Sequence, residues 1–268
     1  MKLPIHHLGL LYSVIGFTAL IGSLATEHEP VEIIHVPYDT EWLQEIDFSG
    51  IPNLPIRPVG SGICPEASCE DYLEDKEDKC FETCGSRPHP SYIYGCPMET
   101  QWALTFDDGP SNLTSWLLDM LSEYDVKATF CLQGSHVKKY PDIVKRIVRE
   151  GHQIVSHTYS HPHLMSLSNE NILFEIKATE EAIWEAAGVR PIYVRPPFGE
   201  ADERVRTILE LLGYKILMWN VDPVDYKVFE EPDAGKKILA SFINASRGID
   251  TDLNLHNDRG FISLQHGG

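Results

Sequence analysis

Ionisable residues follow five of the six apolar, strand-like runs between residue 101 and the end of this 268-residue sequence. They are Asp107 and Asp108 after the run at 102–106, His157 and His161 after 153–156, Arg195 after 191–194, Asp222 and Asp225 after 214–219, and His266 after 261–265; the run at 128–132 has no such residue. One Asp-Asp-Gly-Pro stretch would indicate a surface turn. The repeated placement of carboxylates, imidazoles and a guanidinium after strands favours one reactive site.

Three of these residues are suited to holding a metal ion. Asp108, His157 and His161 offer one oxygen and two nitrogens, a set that leaves an open position for water on a catalytic Zn²⁺. The four-residue spacing of the histidines predicts that both imidazoles face one side of a helical turn. The sequence therefore predicts a metal site built on these three side chains.

Asp107 is predicted to have a different role from that of Asp108. Successive residues near a strand end point to opposite sides, so the two carboxylates separate. A bound metal ion lowers the pKa of water to about 7, and Asp107 could take the proton from that water. In this interpretation one carboxylate binds the ion and the other is the base.

The elements that must position these residues alternate along the chain. Helix-like segments at 113–123, 141–150, 168–187, 202–212 and 233–243 separate the strand-like runs. Ser168 is a candidate N-cap and Gly188 a C-terminal stop. Alternating strands and helices indicate an α/β fold with a parallel sheet covered by helices. In a barrel built this way, reactive residues gather at the carboxyl ends of the strands.

The motifs of this chain, in order, resemble those of a known family. TFDDGP, HTYSH, RPPFG, DPVDY and SLQH resemble the five motifs of the polysaccharide deacetylase (NodB-like, carbohydrate esterase family 4) domain over residues 101–268. The cysteine-containing region just upstream resembles secreted fungal chitin deacetylases. The resemblance implies a distorted or incomplete (β/α) barrel and a divalent cation, Zn²⁺, Co²⁺ or another. It also implies hydrolysis of N-acetyl groups on chitin or another N-acetylglucosamine polymer, giving chitosan and acetate.

The resemblance also assigns roles to individual residues. It implies that Asp107 is the base and that Arg195 pairs with it, and that Asp225 orients His266, which protonates the departing amine. It makes Asp108, His157 and His161 the metal ligands. Around the substrate it implies the backbone N–H of Phe198 at the oxyanion, Tyr226 in the groove wall, and Ile262 and Leu264 in an acetyl pocket.

The first hundred residues are predicted to be a targeting signal and an extension. Residues 1–25 resemble a secretory signal peptide, with Lys2, an apolar run from Leu8 and small residues near the end. Residues 26–100 form an acidic extension with five of the six cysteines, Cys64, Cys69, Cys80, Cys84 and Cys96. Their spacings do not fit paired CxxC zinc knuckles, so disulfide bonds are favoured, with the pairing open.

Charge and sequons indicate where the protein works. The net charge of −18 makes nucleic acid or an anionic lipid a poor partner. After cleavage of the signal no stretch reaches the ~20 apolar residues of a membrane span. Sequons at Asn112 and Asn244 can accept N-glycans in a secretory pathway. We expect a protein that is secreted, extracellular or in the cell wall.

Two alternative functions stay open at this point. The same fold and metal could serve acetylxylan or peptidoglycan instead of chitin. A non-catalytic glycan-binding wall protein is the other alternative, although the presence of both Asp107 and His266 speaks against it.

The position of His266 near the end raises an expectation about the chain itself. It is the third residue from the end, followed by Gly267 and Gly268. Chain termini fray unless they are tied down, and glycine has the most backbone freedom. We expect no element to anchor these glycines, and hence a catalytic domain that is truncated at its C-terminus.

Overall fold

The computed structural model describes residues 34–61, 89–248 and 259–267. The predicted signal peptide, the cysteines at 64, 69, 80 and 84, and Gly268 lie outside those ranges. The signal, the disulfide framework and the boundaries of the three predicted segments therefore stay predictions.

The core of the structure is one sheet of six parallel strands. They are β1 (Trp102–Gly109), β2 (Thr129–Leu132), β3 (Gln153–Ser156), β4 (Tyr193–Val194), β5 (Lys215–Ile216) and β6 (Phe261–His266). Their spatial order is β5-β4-β3-β2-β1-β6, and each neighbouring pair is parallel. The predicted α/β fold with a parallel sheet is confirmed. Strand β1 continues beyond the predicted end because Asp107 still pairs with His266 of β6.

Helices connect the strands and cover the outside of the sheet. They are α1 (Thr114–Glu123), α2 (Gly134–Lys139), α3 (Pro141–Arg149), α4 (Asn169–Ala187), α5 (Glu203–Leu211), α6 (Asp225–Val228) and α7 (Ala234–Arg247). Ser168 caps α4 by accepting a hydrogen bond from Asn171 N–H, and Gly188 ends it in the left-handed conformation, as predicted. The short helices α2 and α6 were not predicted. Among the described residues, no helix has both the length and the apolar character that crossing a bilayer requires.

The sheet curls into an incomplete barrel, as expected. Val221, beyond β5, forms a parallel bridge with Ser263 of β6, so the two edges of the sheet approach each other. Ile93 bridges Leu217, and Cys96 exchanges backbone hydrogen bonds with Gly260. The short stretch of residues 93–96 therefore occupies the gap between the edges. Its backbone groups satisfy donors and acceptors that an open edge would leave unpaired.

Other described parts of the 26–100 segment also pack on the barrel. Ile46, Ile51, Tyr92 and Tyr94 are buried in a cluster with residues of α4 and α5. Glu45 lies 2.8 Å from the ammonium group of Lys177, a nearly buried side chain of α4. These parts of the extension thus contribute to the hydrophobic core.

Candidate active site

The candidate site lies where the strands end at their carboxyl side. Along each strand alternate side chains face the barrel interior, and Asp107, His157 and His266 continue that inward face beyond Thr105, Val155 and Leu264. A cavity of about 340 Å³ opens there. The predicted site residues that line it are Asp107, Asp108, His157, His161, Phe198, Tyr226, Leu264 and His266. The fold therefore brings together residues that are up to 159 positions apart in the chain.

Asp108, His157 and His161 form the one group among the described residues whose donor atoms could hold a metal ion. Asp108 Oδ1 lies 3.4 Å from the Nε2 atoms of both histidines. Two donors that each lie about 2.05 Å from a tetrahedral ion are about 3.4 Å apart, so the set fits such an ion. His157 Nδ1 donates to the carbonyl of Arg195 at 2.7 Å, which leaves the Nε2 lone pair facing Asp108.

Charges within the trio shift the pKa values of its members. Burial raises the pKa of Asp108, but its interaction with the neighbouring imidazoles, His157 above all, outweighs burial and lowers that pKa well below its ordinary value. Burial and the neighbouring charge of His157 lower the pKa of His161 to about 4. Asp108 as a carboxylate and His161 as a neutral imidazole are the protonation states that a metal ion requires. Burial lowers the pKa of His157, but Asp107 and Asp108 outweigh burial and raise it, so a metal ion at this imidazole would compete with a proton.

The two histidines predicted to be ligands are carried by a loop, so the predicted helical turn is wrong. Residues 157–161 are not helical, and Thr158 and His161 have positive φ values of 66° and 58°. The two imidazoles meet because the loop reverses, with their ring centroids 4.9 Å apart. Asp108 is also left-handed, with φ of 69°, which separates its side chain from that of Asp107.

Asp107 and Arg195 form a buried ion pair. Arg195 is fully buried, and its Nη1 donates to Asp107 Oδ1 at 2.6 Å and to Thr105 Oγ1 at 2.6 Å. The remaining guanidinium donors reach the carbonyls of Met218 and Leu217. Asp107 Oδ2 lies 3.8 Å from His157 Nε2. Arg195, the predicted partner of Asp107, is thus in contact with it, beside the candidate metal site.

His266 and Asp225 form the second acid–base pair of the cavity. Asp225 Oδ1 accepts from His266 Nδ1 at 2.7 Å, and Oδ2 accepts from the His266 backbone N–H at 2.8 Å. Burial lowers the pKa of His266, but the hydrogen bond and charge of Asp225 outweigh this and raise it to about 9. The imidazole is therefore protonated at neutral pH, with Nε2 directed away from Asp225.

The expectation that nothing anchors the residue after His266 is wrong for Gly267. Its N–H donates to the carbonyl of Asp107 at 2.8 Å, and its carbonyl accepts from the Ser111 hydroxyl at 3.0 Å. These two bonds continue the pairing of β1 with β6 past the last strand residue. Together with Asp225 they hold His266 in place.

The four residues predicted to contact substrate do not all reach the cavity. Phe198 and Tyr226 are about half exposed at its mouth, and Leu264 lines its wall. Ile262 is not part of the lining; it packs with Cys131, Val155 and Leu217 inside the barrel. It precedes Leu264 by two residues on the same face of β6, which places it about 6.6 Å deeper. Ile262 is therefore absent from the lining of this cavity, and its place in an acetyl pocket stays a prediction.

Several residues around the cavity were given no role by sequence reasoning. Trp219 lines the cavity, and His163 stacks on Phe198 with ring centroids 3.9 Å apart. Gln133 donates to Asp108 Oδ1 at 3.2 Å, and His136 Nδ1 lies 2.7 Å from the carbonyl oxygen of Asp108. No spacing or motif signals these contacts, because the residues lie on other elements. Asp222, noted only for its place after a strand, also lines the cavity.

The two sequons occupy different environments. Asn112 is exposed in the turn between β1 and α1, whereas Asn244 is half-buried on α7. The use of either asparagine stays a prediction.

Comparison with known proteins agrees with this geometry. The sequence profile of the polysaccharide deacetylase family matches residues 94–217. The structure of the chitin deacetylase from Colletotrichum lindemuthianum superposes with a TM-score of 0.59 at 32% identity, over 66% of this chain and 77% of that one. This chain belongs to the polysaccharide deacetylase family.

Relatives within the family carry two kinds of name. Chitin deacetylase 1 of Cryptococcus neoformans var. grubii is 34% identical over 84% of this chain and 48% of its own length. A peptidoglycan-N-acetylglucosamine deacetylase of Bacillus cereus is 42% identical over 51% of this chain and 50% of its own length. The present polysaccharide deacetylase chain thus spans about half the length of each of these relatives.

Proposed function

We propose that this protein removes N-acetyl groups from the N-acetylglucosamine units of chitin, giving chitosan and acetate, with a divalent cation, Zn²⁺, at Asp108, His157 and His161. One observation carries the proposal. A complete metal-donor set, a carboxylate paired with a buried arginine and a protonated histidine paired with a carboxylate share one cavity. These groups together are sufficient for metal-assisted hydrolysis of an amide with a general base and a general acid.

The residues of the chain divide the reaction between two sides of the cavity. When bound, the cation supplies a Lewis acid that polarises the acetyl carbonyl and acidifies a water molecule. Asp107 takes a proton from water as the water oxygen bonds to the acetyl carbon, and Arg195 holds the carboxylate in position. His266 gives its proton to the amide nitrogen as the C–N bond breaks, which releases a free amine and acetate. The backbone N–H of Phe198 is proposed to donate to the oxyanion.

Chitin is favoured over other acetylated polymers because a chitin deacetylase matches a larger share of this chain than a peptidoglycan deacetylase does. The chitin deacetylase of Cryptococcus matches 84% of this chain, whereas the bacterial peptidoglycan enzyme matches 51%. The two relatives share N-acetylglucosamine in their substrates, so an amide is favoured over the ester of acetylxylan. An extracellular or cell-wall location, as the predicted signal peptide implies, would place the protein where such a polymer is found.

The proposal is tested by acetate release from a panel of polymers. We expect acetate from chitin oligomers, less from peptidoglycan and little from acetylxylan, because the site is proposed to act on an amide of glucosamine. Incubation with a chelator should abolish release, and added Zn²⁺ should restore it. The control is the Asp107→Asn variant on the same panel. Release that is unaffected by the chelator would contradict the role of the cation, and release from acetylxylan alone would contradict the proposed substrate.

The Asp225→Asn variant tests the role of His266 through its pH dependence. A general acid acts in its protonated form, so activity is present below the pKa of His266 and is lost as the pH rises through it. Asp225 raises that pKa to about 9. Removing the charge lets it fall toward the ordinary value of about 6.5.

We therefore expect the alkaline limb of kcat/KM to move to lower pH by a unit or more, since a nearby opposite charge contributes about 1–3 units. The matched control is Asp222→Asn, which changes a carboxylate of the same cavity that has no hydrogen bond to the His266 ring among the described contacts. An alkaline limb at the same pH in the Asp225→Asn variant and the unaltered protein would exclude His266 as the acid.

A further inference from the structure

The three residues between the histidine ligands form a loop whose conformation is uncommon. We call residues 158–160 the ligand loop. The first residue of the loop, Thr158, has φ of 66°, and His161, the residue directly after the loop, has φ of 58°. Residues other than glycine keep such values only when the surrounding structure holds them there. Some part of the protein must therefore hold this loop in shape.

One side of the ligand loop is held by a single buried carboxylate. Glu175 Oε2 accepts from the backbone N–H groups of Tyr159 at 2.7 Å and Ser160 at 2.9 Å. Glu175 Oε1 accepts from the Ser160 hydroxyl at 2.5 Å. Glu175 is 3% exposed on α4 and forms no ion pair with any residue in the described ranges. A buried carboxylate without a counter-charge is costly unless hydrogen bonds compensate it, and here all three donors belong to the loop.

The other side of the ligand loop rests on the start of α2. The carbonyl of Thr158 accepts from Gly134 N–H at 2.9 Å, and that of Tyr159 accepts from Ser135 N–H at 3.1 Å. A Cβ atom at Gly134 would lie 2.4 Å from the Tyr159 ring and 2.9 Å from Thr179 Oγ1. Only glycine lets α2 approach the loop this closely. The loop is thus held from both sides, by Glu175 and by Gly134 and Ser135 at the start of α2, which we call the Gly134 turn.

The contacts that hold the ligand loop determine where the two histidine ligands lie. His157 and His161 flank the ligand loop, and their Nε2 atoms are each 3.4 Å from Asp108 Oδ1. If the loop relaxed, His161 would lose its place before His157, whose Nδ1 is bonded to the Arg195 carbonyl. Replacing a residue that orients a metal ligand without touching the ion typically lowers the metal affinity about 10–100-fold.

We propose that Glu175 is a positioning residue for the metal site: by holding the ligand loop against the Gly134 turn it places His161 opposite Asp108 and so sets the affinity for the divalent cation. The inference rests on the proposed function in one respect, that Asp108, His157 and His161 bind a metal ion. It assigns to a helix residue 14 positions beyond His161 a role in the metal site that it performs without touching the ion.

The test measures the Zn²⁺ dissociation constant of the metal-free protein by competition with a chromophoric chelator. We expect Glu175→Ala to weaken Zn²⁺ binding by about 10–100-fold, the usual effect of removing a group that orients a ligand. Glu175→Gln should keep near-native affinity, because its amide oxygen can accept the two backbone N–H groups while its amide nitrogen donates to the Ser160 hydroxyl. Gly134→Ala should also weaken Zn²⁺ binding, because the added Cβ displaces Tyr159 and so disturbs the ligand loop on the side opposite Glu175.

Two reference variants mark the smallest and the largest change in Zn²⁺ affinity that we expect. Glu181→Ala changes a partly exposed glutamate on the same helix and should leave Zn²⁺ affinity unchanged. His161→Ala removes a ligand outright and marks the largest loss expected. Circular dichroism at the assay temperature establishes which variants are folded. A purely structural role of Glu175 would lower the melting temperature without changing the Zn²⁺ affinity of the folded protein.

The outcomes separate the inference from the proposed function. If the unaltered protein binds Zn²⁺ and folded Glu175→Ala binds it equally well, the inference is overturned and the proposed function stands. If the unaltered protein binds no Zn²⁺, both are overturned. Should Glu175→Ala fail to fold, Gly134→Ala decides, since native Zn²⁺ affinity in that folded variant overturns the inference.

Discussion

Replacing Asp107 by Asn is expected to lower the rate of acetate release by about 10²–10⁴-fold, the usual contribution of a general base. Asn has nearly the same shape and can still accept the hydrogen bond from Arg195, which lies 2.6 Å from Asp107 Oδ1. It cannot take up a proton from water. The geometry of the cavity should therefore survive while the chemistry is lost.

Metal content distinguishes the two neighbouring carboxylates in this experiment. The Asp107→Asn variant should keep stoichiometric Zn²⁺ after dialysis, because the candidate ligand is Asp108. The Asp108→Asn variant is the matched control and should lose Zn²⁺ together with activity. Loss of Zn²⁺ from Asp107→Asn and retention by Asp108→Asn would mean that the two roles are exchanged.

Replacing Arg195 by Met is expected to lower the free energy of unfolding by about 3–5 kcal/mol, because breaking a buried ion pair leaves an uncompensated charge. The change removes the counter-charge of Asp107, which is 3% exposed. It also removes donors from Thr105 Oγ1 and from the carbonyls of Leu217 and Met218. Methionine fills part of the volume but makes none of these bonds. Urea unfolding followed by fluorescence measures the difference.

A surface arginine provides the comparison for this variant. Arg190 is 45% exposed in its ion pair with Glu181, and the same change to Met there should cost about 0–1 kcal/mol. The double variant Arg195→Met with Asp107→Asn should recover part of the stability lost in Arg195→Met, since no buried charge is left unpaired. Equal losses at positions 190 and 195 would show that the buried pair carries no special weight.

The order of strands and helices could be predicted because local patterns encode it. Apolar runs and candidate caps such as Ser168 placed most of the elements to within a few residues. Helices α2 and α6 were missed because they are 6 and 4 residues long, too short for an apolar period to emerge. Strand β5 is shorter than predicted because Leu217, which follows Ile216, forms its β-bridge with Ile93 instead of with β4.

The residues of the candidate site could be selected in advance for a related reason. In a parallel sheet every strand ends at the same rim, so the residues after each strand become neighbours whatever their distance in the chain. Asp107, His157, Arg195 and His266 were predicted from that rule. The structure brings Asp107, His157 and His266 to one cavity and places Arg195 behind it, hydrogen-bonded to Asp107. Their chemical roles stay predictions.

Depth within the barrel and the partners of each site residue depended on the folded chain. The backbone pattern does not say where the cavity floor lies, and Ile262 falls below it while Leu264 lies at its wall. Nor does a spacing of four residues distinguish a helical turn from the ligand loop, which begins with the left-handed Thr158 and is held by Glu175 and Gly134 from two other elements.

The amino-acid sequence alone determined where most of the strands and helices lie and which residues follow each strand, because side-chain period and capping act over a few neighbouring residues. Only tertiary packing decided how those side chains are held. Hydrogen bonds such as those of Glu175 to Tyr159 and of Arg195 to Asp107 join residues 16 and 88 positions apart. Such contacts form only when the helices and loops pack against the sheet, and no local pattern records them.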